Sequence, residues 1–307
     1  MNGVIIKTTG KHYSVKSDEG DVLDCRLKGK LRILGIKSTN PFVVGDRVEV
    51  SCESNQWLIL SLHKRKNYIL RKSVNLSKQT HIIASNIDQA LLMITFSSPV
   101  TKTAFIDRFL ISANAFGVEV ILVFNKIDLL NENLKLKHKE LKDIYEKIGY
   151  KCFSISAIND DLSLIKDKLK GKVNMISGHS GVGKSTLINK IQPGLNINTK
   201  EISKSHRQGQ HTTTFSELHD LDFGGSIIDT PGIRGFGLVS LELNQIGNYF
   251  PEFLIFKKNC KFHNCIHKNE PKCAVKRALK LGDISNSRYN NYLKILNDID
   301  GFRVSDY

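Results

Sequence analysis

Acidic side chains, proline, tryptophan and long apolar runs are all scarce in this 307-residue chain. No apolar stretch approaches the ~18–20 residues that a membrane span requires, and the best one, Val118–Phe124, is interrupted by Glu119. A membrane protein is therefore not expected. With six prolines the chain is not collagen-like, and with 24% charged residues it lacks the composition of a disordered segment. Hydrophobic residues make up 40% of it, enough to fill a buried core in each of two or three domains. The amino terminus carries no signal-peptide pattern, because the short run Val4–Ile6 ends at Lys7. A cytoplasmic location is expected.

The acid deficit is 30 Asp+Glu against 45 Lys+Arg, a formal net charge of +15. No single tail carries it: residues 1–70, 71–238 and 239–307 hold net charges of +5, +6 and +4. An acidic-tail protein is excluded. Positive charge on every segment suits a chain whose several surfaces face one large polyanion. A general lysine enrichment would give the same sum, so the placement of the charge has to decide.

Residues 1–66 contain five short alternating runs, Gly3–Thr8, Tyr13–Lys16, Val22–Leu27, Asp46–Val50 and Trp57–Leu62, separated by polar turns. Strands of this length and spacing predict a small barrel, and an OB-like five-stranded barrel fits the length. A basic loop lies at Gly29–Lys37, and the cluster Lys64, Arg65, Lys66, Arg71 and Lys72 reads as a solvated linker. Beyond it, buried-strand runs alternate with helical spacings: Ala90–Thr95, then Ile106–Phe116, Val118–Phe124, Leu136–Ile148, Cys152–Ile155, Val173–Ile176 and Ser226–Ile228. That alternation predicts an α/β domain with a mainly parallel sheet. After residue 239 the pattern turns helical, with helices expected at Val275–Leu281 and Arg288–Ile299.

The run Gly178-His179-Ser180-Gly181-Val182-Gly183-Lys184-Ser185 has the P-loop spacing, and it lies between a predicted strand and a predicted helix. Its glycines let successive backbone N–H groups turn toward phosphate oxygens, and the helix N-terminus adds positive potential there. Lys184 is placed to reach the outer phosphates. The Ser185 hydroxyl is placed to bind Mg²⁺, with Thr186 following it in the same turn. Asp229-Thr230-Pro231-Gly232 ends an Ile-rich strand; Asp229 suits the Mg²⁺ hydration shell and the Gly232 N–H suits the terminal phosphate. Gly209–Thr214 lies between them, and Thr213 is the favoured threonine for Mg²⁺.

Asn125-Lys126-Ile127-Asp128 follows the apolar strand Val118–Phe124. A carboxylate at Asp128 accepts from guanine N1–H and the exocyclic amino group together, a donor pair that adenine lacks. Ser156-Ala157, after the next strand, is expected to support the base through backbone N–H groups. In ordinary GTPases the phosphate motif comes first and the base motif last. Here the order is inverted, and a circularly permuted G domain is the simplest arrangement in which one nucleotide touches every motif.

Six cysteines divide into two groups. Cys25, Cys52 and Cys152 are scattered in strand-like surroundings and are expected to be free thiols, whereas Cys260, Cys265 and Cys273 fall within fourteen residues. With no secretory signal, a disulfide framework is not expected. Cys260, Cys265, His267 and Cys273 supply three thiolates and one imidazole, a set suited to tetrahedral structural Zn²⁺, with His263 as a competing ligand.

Taken in this order, the motifs resemble those of the RsgA (YjeQ) family of circularly permuted GTPases, and the resemblance covers essentially the whole chain. It implies three domains: an OB-fold RNA-binding domain at 1–70, the permuted GTPase domain at 71–238 and a zinc-binding helical domain at 239–307. It implies a monomer that hydrolyses GTP to GDP with Mg²⁺, contains one structural Zn²⁺, contacts rRNA through its outer domains and is stimulated by the small ribosomal subunit during late maturation. Two positions depart from the family pattern. Gln210 stands where Arg is usual, and Gly235 follows Arg234 where an acidic residue is usual. Ile233 follows Gly232, where conventional GTPases present a water-orienting glutamine. Slow intrinsic hydrolysis is therefore expected, with His211 as the candidate that positions water when a partner orders its loop. The competing class is an rRNA-binding module that senses nucleotide with little turnover. Basic residues at Lys28–Lys37 and Lys257–Lys280 are expected to govern salt-sensitive subunit binding.

Overall fold

A computed structural model describes residues 1–10, 12–28, 41–72, 80–197, 216–230 and 241–298. The first five strands are β1 (Asn2–Thr9), β2 (His12–Ser17), β3 (Val22–Leu27), β4 (Arg47–Glu53) and β5 (Gln56–Leu62). Their alternation turns Ile5, Tyr13, Val15, Cys25, Val48, Val50 and Ile59 into one core, capped by Phe42. The strands close in the order β1-β2-β3-β5-β4-β1, antiparallel except for the parallel β3–β5 contact. Ser54 and Asn55 join β4 to β5 with φ of 48° and 63°, the backbone of a type I′ hairpin turn. The expected five-stranded barrel is present.

The Lys64–Lys72 cluster is not simply a solvated linker. Tyr68–Lys72 forms β6, paired with β7 (Thr80–Ser85), and the Arg65 side chain is only 6% exposed. Its Nε and Nη2 donate to the Asp46 carboxylate at 2.6 Å, and that carboxylate also accepts from the Ser85 hydroxyl at 2.6 Å and the Val43 N–H at 2.8 Å. A buried charge stays only when its partners are all supplied, and here Arg65 and Ser85, which lie beyond the five barrel strands, supply three of the four donors to the Asp46 carboxylate. Gly45 sits against this junction at φ +92°, where a Cβ would lie 2.1 Å from the Ser85 carbonyl oxygen. A second seam is β1 against β12 through Lys7 and Glu217.

The central unit runs β8 (Gln89–Ile94), α1 (Thr103–Ala115), β9 (Glu119–Phe124), α2 (Glu132–Lys147), β10 (Lys151–Ser154), α3 (Ser163–Leu169), β11 (Val173–Ser177), α4 (Lys184–Ile191), β12 (Glu217–Asp220) and β13 (Ser226–Asp229). The sheet order is β10-β9-β8-β11-β13-β12, with β12 alone antiparallel to its neighbour within this unit. Every residue of β8 is buried because helices cover both faces. Leu92 and Ile94 pack with Phe105 and Phe109 of α1, while Leu91 and Met93 pack with Leu187 and Ile188 of α4. The carboxyl ends of β8, β9, β11 and β13 therefore open at one edge, where α/β sheets bind ligands.

The last described segment forms α5 (Leu243–Ile246), α6 (Pro251–Lys257), α7 (Ala274–Leu281) and α8 (Asn286–Asp298) around Phe250, Phe253, Tyr289 and Tyr292. It joins the central unit through a buried ion cluster. Arg288, 2% exposed, donates to both Glu252 oxygens at 2.7 and 3.0 Å and to Asp107 of α1 at 2.5 Å. Asp107 also accepts from the Tyr145 hydroxyl at 2.7 Å and Asn291 at 2.6 Å. Removing Arg288 strands two buried carboxylates. Arg288→Ala is expected to lower unfolding free energy by about 3–5 kcal/mol in a urea titration. Lys135→Ala, which breaks only an exposed i,i+3 pair with Glu132, should change it by less than about 1 kcal/mol. Among the described residues no helix is long and apolar enough to cross a membrane.

Candidate nucleotide site and metal centre

The P-loop leaves the end of β11 and enters α4 at Lys184. Gly178, Gly181 and Gly183 hold φ of +146°, +83° and +98°, a region that side chains with a Cβ rarely adopt. Space is equally limiting: a Cβ at Gly178 would lie 2.8 Å from the Met93 carbonyl oxygen, and one at Gly183 would lie 2.4 Å from Asn125 Nδ2. Val182 is buried, Ser180 is exposed, and Ser185 and Thr186 occupy the first turn of α4. His179 packs its ring on Phe105 of α1, with centroids 3.9 Å apart.

Lys184 is 9% exposed, and its Nζ donates to the Gly178 and His179 carbonyl oxygens at 3.0 Å each. Burial pushes its pKa down to about 8, with the Asp229 carboxylate opposing the shift. Below pH 8 the ammonium is present before a phosphate arrives; above it the free protein must first take up a proton. GTP affinity is expected to fall by about tenfold per pH unit above pH 8, and to be flat from pH 6.5 to 7.5. Calorimetric titrations in buffers of different ionisation enthalpy would count the proton taken up.

Asp229 closes β13 and is buried directly beside the P-loop strand, opposite Ile176 in the parallel register. Thr230 follows, fully buried, with its hydroxyl donating to the Ile176 carbonyl at 2.8 Å. Ser185 and Asp229 thus lie at the ends of adjacent elements and offer the hard oxygen donors that suit Mg²⁺. His211 and Thr213, with the rest of 209–214, lie outside the described residues, as does Gly232.

Asn125 has a role that no local sequence pattern indicates. Its Nδ2 donates to the Val182 carbonyl at 2.8 Å, and its Oδ1 accepts from the Ala157 N–H at 2.9 Å. One buried amide therefore fastens the P-loop to the Ser156–Ala157 loop. Lys126 takes the left-handed conformation at φ +63°, and its Nζ donates to the Ser98 carbonyl at 2.8 Å. Asp128 is exposed, in the 3₁₀ turn Ile127–Leu129. Ser156 and Ala157 are buried, and both their N–H groups are engaged, by Asp160 Oδ2 at 2.7 Å and by Asn125. Support of a base by either group requires that bond to be shared.

The fold brings Cys260, Cys265, His267 and Cys273 together as a candidate metal centre, with all four donor atoms within 4.8 Å of one another. His267 Nδ1 is 3.7 Å from Cys260 Sγ and 3.4 Å from Cys273 Sγ, and those two sulfurs are 4.0 Å apart. A Zn–S bond of ~2.3 Å implies tetrahedral sulfur–sulfur edges of ~3.8 Å, so the cluster has the dimensions of the ion's shell. Burial pushes the His267 pKa down to about 4, which keeps the imidazole neutral as a ligand must be. His263 is exposed and stands outside the cluster.

Comparison with known proteins agrees with this geometry. Residues 2–57 match the RsgA N-terminal domain and residues 62–239 match the RsgA GTPase domain. A Flavobacterium johnsoniae protein named small ribosomal subunit biogenesis GTPase RsgA is 54% identical, covering 100% of this chain and 96% of its own length. A Bacteroides fragilis protein of the same name is 50% identical, with 97% of each covered. Among solved structures, YjeQ of Thermotoga maritima has a TM-score of 0.78 at 34% identity, covering 98% of this chain and 99% of its own. YloQ, described as a circularly permuted GTPase, has a TM-score of 0.72 at 28% identity, covering 100% and 96%. With the five-stranded barrel, the inverted motif order and the cysteine–histidine cluster all in place, the chain belongs to the RsgA family of GTPases.

Proposed function

We propose that this protein hydrolyses GTP on the small ribosomal subunit during its late maturation, and that the subunit accelerates the reaction. The observation that carries the reading is the Asn125 clamp. It joins the P-loop to the base-side loop across 57 and 32 residues of sequence, which gives the inverted motifs one nucleotide to share. The names of the close relatives supply the partner.

In this reading the backbone from Gly178 to Gly183, including His179, Ser180 and Gly181, cradles the phosphates, and Lys184 moves from its two carbonyls to the outer phosphate. Asp128 selects guanine, with Lys126, Ser156 and Ala157 around the base. Ser185 and Thr213, with Asp229 behind them, would hold Mg²⁺, which neutralises charge on the outer phosphates when bound. Gly232 would sense the terminal phosphate, and His211 would position the attacking water. Cys260, Cys265, His267 and Cys273 would hold a structural Zn²⁺.

The unit boundaries fall near 70 and 238, and the protein acts as a cytoplasmic monomer. Its outer units meet rRNA. On the zinc module, Lys258, Lys261, Lys268, Lys272, Arg277 and Lys280 are exposed, and none forms an ion pair among the described residues. Co-sedimentation with separated ribosomal subunits tests the partner. Pelleting with small subunits in a non-hydrolysable GTP analogue, and release in GDP, is the expected result. Equal pelleting with large subunits, or in both nucleotides, would remove the reading.

A further inference from the structure

Between the barrel and the central sheet lies an open cleft of about 420 Å³ that the nucleotide site does not use. It is bordered by Val173, the first residue of β11, whereas the P-loop begins after Ser177 at the other end of that strand. The two sites therefore open at opposite edges of the sheet. The volume lies within the ~300–1,000 Å³ of small-ligand pockets, which favour domain junctions of this kind.

Its lining is two-sided. Val4, Val173 and Leu218 form an apolar floor, and Arg47, His63, Lys64 and Lys66 form a basic rim. The rim charges are available. Among the described residues Arg47 pairs with Asp18 and Lys66 with Asp88, in bridges open to solvent that a competing anion can displace. Lys64 is exposed and has no ion pair among the described residues. Arg65 also borders the cavity. Its side chain is 94% buried and its Nε and Nη2 are satisfied, yet Nη1 is buried without a hydrogen-bond partner.

We propose that this cleft binds one nucleotide unit of single-stranded RNA, with the phosphate on the basic rim and the base over the apolar floor. The inference rests on the proposed rRNA partnership and adds a defined site to it. A flat, partly apolar base suits the floor, and a phosphate suits Arg47 and Lys64. A free mononucleotide has the same chemistry, so the test separates the two sources.

The full-length protein would be titrated with a 4-thiouridine-substituted oligouridylate and with purified small subunits, as wild type, Lys64→Ala, and Lys64→Ala with Arg47→Ala. Photocrosslinks to residues 63–66 or 47 are expected. Each substitution should lower the salt slope of binding by about one and affinity by about three- to tenfold at ~0.1 M salt, with basal GTP turnover unchanged. Crosslinks that persist in excess uridine monophosphate assign the site to the strand; crosslinks abolished by it assign the site to free nucleotide and overturn the RNA assignment. If wild type binds subunits and the variants keep its affinity and salt slope, the cleft proposal fails and the subunit partnership stands. If wild type binds neither RNA nor subunits, both fail.

Discussion

Replacing Asp128 with alanine should erase the preference for guanine over adenine nucleotides, a loss on the order of 10⁴-fold in relative affinity. The magnitude follows from the proposed role of the carboxylate. In that reading it would accept two hydrogen bonds from guanine that adenine cannot donate, so discrimination would depend on a group whose partners are buried with the base. The geometry keeps the effect local. Asp128 lies exposed in the Ile127–Leu129 turn, and Asn125, which fastens the P-loop, is three residues away and unaltered. Affinity for ATP should therefore stay near its wild-type value while GTP affinity drops toward it. Asp128→Asn adds a sharper control. Its amide can donate to the C2 oxygen of xanthine, so xanthosine triphosphate should bind better than GTP. Competition titrations with the three nucleotides measure all of this, and an unchanged GTP-to-ATP ratio in Asp128→Ala would show that the base lies elsewhere.

If the cysteine–histidine cluster holds the proposed Zn²⁺, its loss should be the largest structural effect. Structural Zn²⁺ contributes about 10–16 kcal/mol of apparent binding free energy at neutral pH, more than a small module's own stability. Here the donors are part of the core: Cys265 and Cys273 are buried in the same cluster as Phe250, Phe253 and Tyr292. Without metal, burial pushes the Cys265 thiol up to about 12, so the empty centre keeps its protons and metal must displace them. Zinc affinity should fall as pH falls. Cys273→Ser, or chelation, is expected to make residues 241–298 protease-sensitive while the barrel and the nucleotide site stay folded around their separate cores. One zinc per chain by elemental analysis, and selective proteolysis of that segment in Cys273→Ser, are the expected observations. An intact, protected segment without metal would contradict them.

The sequence made chemistry easier to read than packing. The P-loop, the Asn-Lys-x-Asp motif and the Cys/His set each demand fixed residue types at fixed spacing, so the residues themselves are the signal. Barrel strands were also legible to within a residue or two at most ends, because one buried face imposes alternation; β3 at Val22–Leu27 matches its expected span. What went unread has no local period. Arg65 and Arg288 look like surface cations in polar runs, yet each is buried by a carboxylate distant in sequence, Asp46 for one and Asp107, 181 residues away, for the other. The β6–β7 hairpin was hidden by the same lysines and arginines that suggested a linker. Asn125 reads as part of a base motif, but its role as a clamp depends on Val182 and Ala157, which only the fold brings near. His179 on Phe105 is a further contact of this kind.

Steady-state GTP hydrolysis, with and without purified small ribosomal subunits, addresses the proposed function most directly. Slow turnover alone, rising on the order of 10²-fold or more with small subunits and little with large ones, is the predicted result. A rate that small subunits leave unchanged, with GTP bound normally, would contradict the proposal and leave a nucleotide-sensing binding protein in its place.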